Sequence, residues 1–398
     1  MLNVISKEEA VACVAGAAAK AKIKTETVSL PDAAGRIAAE DVRAAESLPP
    51  FDRSTVDGFA VVAADTFGSG DAIPAELTVA GECRMGELPP FSIGRGQCAA
   101  IPTGGMLPRG ADAVVMVEHT ERDGELCLVY AGVSPGANVV RQGDDISKGE
   151  AVVRKGTEIG VPEIAALAAL GVYEIPVCKK PVVSVISTGD EIVTGTPRPG
   201  EMRDVNSFLL SALCGNMGCE AIRYGAVRDD REQIRAALES CLERSDLVLI
   251  SGGSSAGTRD MTAEIIDSLG AVHFHGIAMK PGKPTIFGTA GGKLIFGLPG
   301  HPLAAYFVFR LIVSEAIRTM LGLPADQPFA KAPAAFNVPS NHGREEYLCV
   351  RRSETGEAVP LHTKSGLISV LSEADGFIRI ARNTEGLKKG DTVELYRL

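Results

Sequence analysis

Several short segments of this chain set acids, lysines, hydroxyls and glycines at spacings that could do chemistry. Pro49-Pro50-Phe51-Asp52-Arg53-Ser54-Thr55-Val56-Asp57-Gly58-Phe59-Ala60 holds two acids among small polar residues, with a glycine after the second. A plain turn with Asp57-Gly58 at its corner explains that segment equally well. Arg141-Gln142-Gly143-Asp144-Asp145-Ile146 pairs two carboxylates beside an arginine. Ile186-Ser187-Thr188-Gly189-Asp190-Glu191-Ile192 follows an apolar run that reads as a buried strand, and α/β sheets place ligand-binding loops at such strand ends. Adjacent acids there suit Mg²⁺, which takes a few carboxylates and keeps its waters. A cap is the plainer role for Asp190.

Ser251-Gly252-Gly253-Ser254-Ser255-Ala256-Gly257-Thr258-Arg259-Asp260 lies between a second buried strand and a helix. Free amides and hydroxyls at a helix start can hold an anion. The loop is neither a Walker loop nor a dinucleotide fingerprint, and Asp260 alone could be a cap. In Met279-Lys280-Pro281-Gly282-Lys283-Pro284, two lysines stand three apart between prolines. Proline stiffens that backbone, so the pair reads as an oxyanion grip ahead of a solvated surface charge. Phe296-Gly297-Leu298-Pro299-Gly300-His301-Pro302 is another strand-to-helix loop. His301 reads as structural, since no partner histidine lies nearby in the sequence. The loops that follow strands of one sheet should converge at one edge. There, acids for a cation, lysines for an anion and amides for a phosphate point to chemistry on a phosphorylated substrate.

The elements that position these loops follow from periodicity. Ser6 and Glu9 form a capping box for a helix to about Ala21, with Val11, Val14 and Ala18 on one face. Residues 46–145 hold short β-type runs at Phe59–Val62, Leu77–Ala80, Cys98–Ile101, Ala113–Val117 and Leu126–Tyr130, punctuated at about hairpin spacing. A helical pattern covers Gly160–Leu170. From residue 179 strands and helices alternate: strands at Pro181–Ile186, Ala221–Val227, Asp246–Ser251, Val272–Met279, Thr285–Gly288 and Lys293–Gly297, helices at Asn206–Met217, Asp230–Arg244, Thr262–Leu269 and Pro302–Leu321. Such alternation predicts a mostly parallel sheet covered on both faces. The tail adds strands at Tyr347–Arg351, Phe377–Ala381 and Thr392–Leu395. The expected fold class is multidomain α/β plus β. Residues 1–45 with 146–178 form an N-terminal and linker domain, 46–145 a β-rich domain, 179–326 the α/β domain, and 327–398 a small C-terminal β-barrel.

The chain's 398 residues are too many for one core. A formal charge of −10 argues against general nucleic-acid binding. The nine cysteines form no CxxC pair and only six histidines are present, which disfavours structural zinc and redox dithiols. The scattered thiols suit a reducing, cytoplasmic setting. The start MLNVISKEEA lacks the pattern of a secretory signal, and no apolar run reaches the roughly 20 residues of a membrane span.

Together these segments resemble the molybdopterin molybdenumtransferase family, MoeA in bacteria and the E domain of gephyrin in animals. Pro-Phe-Asp-Arg-Ser-Thr-Val-Asp-Gly-Phe-Ala is similar to the family's Pro-x-Phe-Asp-x-Ser-x-x-Asp-Gly-Tyr-Ala. Ser187-Thr188-Gly189-Asp190-Glu191, the Gly/Ser loop with Asp260, Lys280-Pro-Gly-Lys283-Pro and Gly297-Leu-Pro-Gly-His-Pro302 follow in the family's order. The resemblance implies a four-domain, elongated homodimer with a site built partly across subunits. It implies adenylylated molybdopterin and molybdate as substrates, Mg²⁺ assistance and release of AMP. It assigns Glu191, Asp229 and Asp260 to Mg²⁺ and the adenylyl phosphates, and Lys280, Lys283 and Ser255 to molybdate or a phosphate. Asp57, Thr103 and Asp145 would act on the pterin side. Ser187, Thr188, Gly189, Asp190, Gly252, Gly253, Pro299, Pro302 and Ser365 would line the substrate site. The upstream adenylyltransferase is a candidate protein partner; neither nucleic acid nor membrane is implied.

The chain departs from that pattern at Arg53, Thr55 and His301. It also carries Cys349 where the family's Gly-Arg-Glu-Glu-Tyr-Leu-Cys segment usually ends in arginine. Arg351, two residues on, would share a strand face with Cys349 and could replace the missing guanidinium. A non-enzymatic scaffold of the same fold would show decayed acids or lysines in these loops, and none is decayed. A related enzyme of another nucleotide-linked substrate would lack the first 145 residues. Molybdate and tungstate, alike in charge and size, are not distinguished.

Overall fold

The computed structural model describes residues 4–21, 23–193, 195–252, 256–340, 342–361 and 367–398, with backbone alone at 256–259. Backbone contacts divide the chain into two units. One comprises Met1–Glu26, Gly35–Ala39 and Pro176–Leu398; the other comprises Thr27–Ala34 and Glu40–Ile175.

Helix α1 (Lys7–Ala18) starts on the expected capping box: the Ser6 amide donates to Glu9 Oε2 at 2.8 Å and the Glu9 amide to Ser6 Oγ at 3.1 Å. It ends three residues short of the expected Ala21, and its buried face is Ala10, Val14 and Ala18 rather than Val11. In the second unit, the β-type runs become β1 (Gly58–Val61), β2 (Ala75–Glu82), β3 (Gln97–Ile101), β4 (Ala113–Met116), β5 (Thr120–Asp123) and β6 (Leu126–Val129). Their sheet order is β4-β1-β3-β2-β6-β5. Of the consecutive strands, β5 and β6 alone pair antiparallel as a hairpin, and β2 pairs with β3 in parallel, so simple hairpin spacing does not describe it. Helix α2 (Val161–Ala169) buries only Leu167.

The first unit is built on a six-stranded mixed sheet. Its elements are β7 (Val182–Thr188), α3 (Asn206–Asn216), β8 (Glu220–Val227), α4 (Arg231–Arg244), β9 (Leu247–Ser251), α5 (Ala256–Leu269), β10 (Ala271–His275), β11 (Met279–Lys280), β12 (Ile286–Ala290) and β13 (Lys293–Leu298). The sheet order is β8-β7-β9-β13-β12-β10. The first four strands run parallel, β12 joins β13 antiparallel and β10 joins β12 antiparallel, so β12 alone runs against the other five and departs from the expected parallel arrangement. Every residue of β9 is buried, as expected of a central strand covered on both faces. Phe274, Phe287 and Phe296 pack with ring centroids 4.8–5.6 Å apart on one side. Each is at most 2 % exposed, and full burial of such a ring contributes roughly 1.5–3 kcal/mol.

The expected Pro302–Leu321 helix is interrupted. Helix α6 (Pro302–Val308) passes through a π-turn at Phe309–Val313 into α7 (Ser314–Leu321), which Gly322 ends at φ 71°. Prolines 302 and 324 bracket it, as start and stop signals require. The tail is β-rich: β14 (Ala330–Pro333), β15 (Glu345–Arg352), β16 (Ala358–Pro360), β17 (Gly376–Ile380) and β18 (Thr392–Leu395). It buries its own cluster, which includes Ala332, Val350, Ile378 and Val393, and sends Tyr347, Cys349 and Phe377 into the large core beside α6. β11 pairs in parallel with β15, Lys280 opposite Glu346, which brings the lysine loop onto the tail.

Gly252 sets how closely the sheet's loops can approach. A Cβ there would overlap the Oγ1 and carbonyl oxygen of Thr188, and its φ of +152° is one that side chains rarely adopt. Gly252→Ala should therefore destabilise the protein by about 1–3 kcal/mol, as overpacking does. Gly16, inside α1 with nothing near its Cβ position, should behave oppositely: Gly16→Ala should add up to about 1 kcal/mol. Guanidinium unfolding of both variants beside the parent checks the opposite signs.

Candidate active site

The C-terminal ends of β7 and β9 form the floor of a cleft of about 660 Å³ in the first unit. Strand β7 runs two residues past the expected Ile186, so Ser187 and Thr188 are strand residues facing the site. Ser187 Oγ donates to Asp204 Oδ1 at 2.8 Å, and the Ser207 amide donates to the same oxygen at 3.0 Å. Asp204 thus caps α3 from just before its start. Asn206 Nδ2 donates to Ser251 Oγ at 2.7 Å and to the Gly300 carbonyl at 2.9 Å, joining α3, β9 and the Pro299–Pro302 loop. The half-buried Glu191 folds its carboxylate over Gly189, where a Cβ would lie 2.7 Å from Oε2. Gly189, at φ +147°, is the residue type that leaves room for it. Glu191, Arg203, Asp204 and Asn206 line the cleft together with Gly300, His301 and Pro302.

A second cavity, of about 440 Å³, opens on the other side of that loop. Lys280, Lys283 and Arg344 line it with Glu346, Pro299 and His301. Lys280 Nζ lies 2.6 Å from Glu346 Oε1, and Ser340 Oγ donates to Glu346 Oε2 at 2.8 Å. Glu345, 4 % exposed, faces away from this group toward the Tyr347 hydroxyl and Arg379. Cys349 forms part of the wall; its burial pushes the thiol up to about 11, so it is neutral near pH 7 and offers no charge to an anion. Arg351 does not supply the missing guanidinium. It is exposed and reaches Glu373 at 3.4 Å, while Arg344, ahead of the same strand, lines the cavity.

The second unit holds Asp57, Thr103 and Asp145. The Thr103 amide donates to Asp57 Oδ1 at 2.7 Å and its hydroxyl to the same oxygen at 3.0 Å. First the amide and then the hydroxyl hold the Asp57 carboxyl below the ordinary aspartate range. Asp57 is fixed further by Gly58, where a Cβ would overlap the Val115 carbonyl. The loop with Asp145 lies alongside: the Gln142 amide donates to Asp52 Oδ1 at 2.8 Å and the Asp145 amide to the Leu48 carbonyl at 3.1 Å. Asp52 and Asp144 therefore build the loops, the latter by accepting from the Arg141 amide at 2.8 Å. Asp57, Thr103 and Asp145 remain exposed.

The expected metal ligands are not gathered. Among the described residues no three acids, histidines or cysteines stand close enough to share an ion. Asp190 Oδ1 accepts from the Asp229 amide at 3.3 Å, which ties the loops after β7 and β8. Asp260 stands inside α5, because that helix begins six residues before the expected Thr262, and it is exposed there rather than on a loop of the sheet edge. Gly253, Ser255 and Ser365 lie outside the described residues. Sequence reasoning missed Arg203, Asp204 and Asn206, although acid and amide just before an apolar helix carry a cap signal. It also passed over Arg344 and Glu346 while weighing Cys349.

The chain is similar to known proteins along nearly its whole length. Residues 5–171 match the MoeA N-terminal region (domain I and II), 184–319 the family described as "Probable molybdopterin binding domain", and 331–398 the MoeA C-terminal region (domain IV). The molybdopterin molybdenumtransferases of Haemophilus influenzae and Bacillus subtilis are 34% and 33% identical over 94% of this chain, covering 93% and 89% of their own lengths. A crystal structure of a molybdopterin biosynthesis MoeA protein from Pyrococcus horikoshii superposes with a TM-score of 0.86 at 40% identity, covering 99% of both chains. Matches along the whole chain, and not in the sheet domain alone, place this protein in the MoeA family of molybdopterin biosynthesis.

Proposed function

We propose that the protein is a molybdopterin molybdenumtransferase, which inserts molybdate into adenylylated molybdopterin and releases AMP with the help of Mg²⁺. The observation that carries this reading is the pair of adjoining pockets: a cavity lined by Lys280, Lys283 and Arg344, and a polar cleft lined by Ser187, Thr188, Glu191 and Asn206, with His301 in the wall of both. A tetrahedral dianion in the first would lie one loop away from a nucleotide-linked ligand in the second. Such proximity turns a bimolecular transfer into one within a single site. Lys280 and Lys283 offset the oxyanion's charge, and the prolines around them reduce what must be ordered on binding.

Three protein carboxylates on one ion do not fit the described residues. A cation that arrives on the substrate's phosphates and meets one acid does fit, since Mg²⁺ commonly uses one or two carboxylates and keeps waters. Glu191 is the acid of the three that lines the cleft. Bound there, Mg²⁺ would neutralise charge on the phosphoanhydride. Asp57, its carboxylate kept ionised by Thr103, and Asp145 are proposed to act on the pterin side, in a homodimer whose active site is shared. The four-domain division and a cytoplasmic setting belong to the same reading.

The lysines give the direct test. A charge-assisted hydrogen bond contributes roughly 1.5–3 kcal/mol, about a ten- to hundredfold change in affinity. Lys280→Ala and Lys283→Ala should fold, raise the molybdate concentration for half-maximal rate by that factor, and slow AMP release. Unchanged kinetics across a molybdate titration would remove the oxyanion from this cavity. The metal is tested separately. AMP release should stop with excess chelator and return with Mg²⁺, and Glu191→Gln should need about tenfold more Mg²⁺ for half-maximal rate. Full turnover in chelator would exclude the cation, and an unaltered Mg²⁺ requirement would exclude Glu191.

A further inference from the structure

Among the described residues, Glu346 is the one carboxylate in the wall of the lysine cavity. It is 8 % exposed, although burying a charge is costly unless it is paired. Its two oxygens are both engaged, one by Lys280 at 2.6 Å and the other by Ser340 at 2.8 Å, and its backbone is in register with Lys280 in the β11–β15 pair. The carboxylate therefore cannot turn away from the cavity without losing both partners. Lys280 is about half exposed, and an ammonium carries three donors, so it can hold Glu346 and still present a donor to a ligand. An oxyanion on Lys280 would then sit a few ångströms from a fixed negative charge of the same sign. The lining groups Lys280, Lys283, Arg344 and Glu346 together carry a formal +2, equal and opposite to a tetrahedral dianion.

We propose that Glu346 is a positioning residue that aims Lys280 into the cavity and, by its charge, deliberately weakens the hold on the oxyanion so that it can leave for the neighbouring cleft. This rests on the reading of the cavity as the oxyanion site. A site that must hand its anion on gains nothing from maximal ground-state affinity, because only interactions kept or strengthened in the transition state raise the rate.

The test uses the full-length protein and equilibrium dialysis with molybdate, and separately with tungstate, at low ionic strength. Glu346→Gln keeps the shape and an acceptor for Lys280 but removes the charge. It should bind either oxyanion at least about fivefold more tightly, the effect of removing a unit charge about 4 Å away even at the dielectric of bulk water. The gain should shrink as salt rises. In turnover, the molybdate concentration for half-maximal rate and kcat should fall together, the pattern of a ground state held too well. A residue that only supported the fold would weaken binding when changed. Should Glu346→Gln lose its melting transition, Glu346→Ala removes the same charge together with the acceptor that aims Lys280, so its gain in affinity should be smaller but still a gain. Equal or weaker binding by a folded variant, with the parent binding saturably, overturns the role of Glu346 and leaves the cavity assignment standing. A parent and a Glu346→Gln variant that both fail to bind overturn the two together.

Discussion

The buried amide of Asn206 is the contact on which the site depends. With 8 % of its surface exposed, it donates to Ser251 at the end of β9 and to the Gly300 carbonyl of the loop before α6. That loop forms a wall of both pockets. A buried donor left without its acceptor costs roughly 1–3 kcal/mol, so loop, strand end and helix start are held in one arrangement. The Gly252 approach to Thr188 closes the same junction from below. The cleft is therefore part of the sheet's own architecture, and the parallel strands that dictate the junction also place its hydroxyls.

Charge is distributed between the pockets with the same economy. Overall the protein is acidic, with a formal charge of −10, yet among the described residues the cavity gathers two lysines and an arginine against one acid. Three acids near the cleft are each engaged locally. Asp204 accepts from Ser187 and caps α3, Asp190 ties the loop after β8, and Glu191 lies over Gly189. In the second unit Thr103 does this for Asp57 through both amide and hydroxyl. A carboxylate held by donors stays charged without needing a cation nearby.

Much of this was legible in the sequence, for reasons that differ from place to place. The Ser6–Glu9 box, the four-residue spacing of Ile234, Leu238 and Leu242, and the proline-to-glycine bracket of α6 and α7 are local signals, and the helices start where those signals stand. Strand pairing is not local. Nothing in β12 announces that it runs against the other five strands of its sheet, and the order β4-β1-β3-β2-β6-β5 follows from closing contacts across the second unit's core rather than from turn spacing. The lysine loop was recognisable from its two prolines, and it does line a cavity. Arg344 and Glu346 were not, because their importance arises from β11 pairing with a strand more than sixty residues later in the chain. Cys349 and Arg351 show the limit of the alternation argument. The strand's last residues emerge from the core, so Arg351 reaches solvent and Glu373 instead of the wall that holds Cys349.

On the proposed function, one loop separates an oxyanion from the nucleotide-linked ligand that receives it. Mixing the protein with adenylylated molybdopterin and Mg²⁺, and following AMP with and without molybdate, measures that coupling most directly. AMP release should rise and saturate with molybdate and stay near background without it. AMP released at the same rate whether or not molybdate is present, or no AMP at any molybdate concentration, would contradict it.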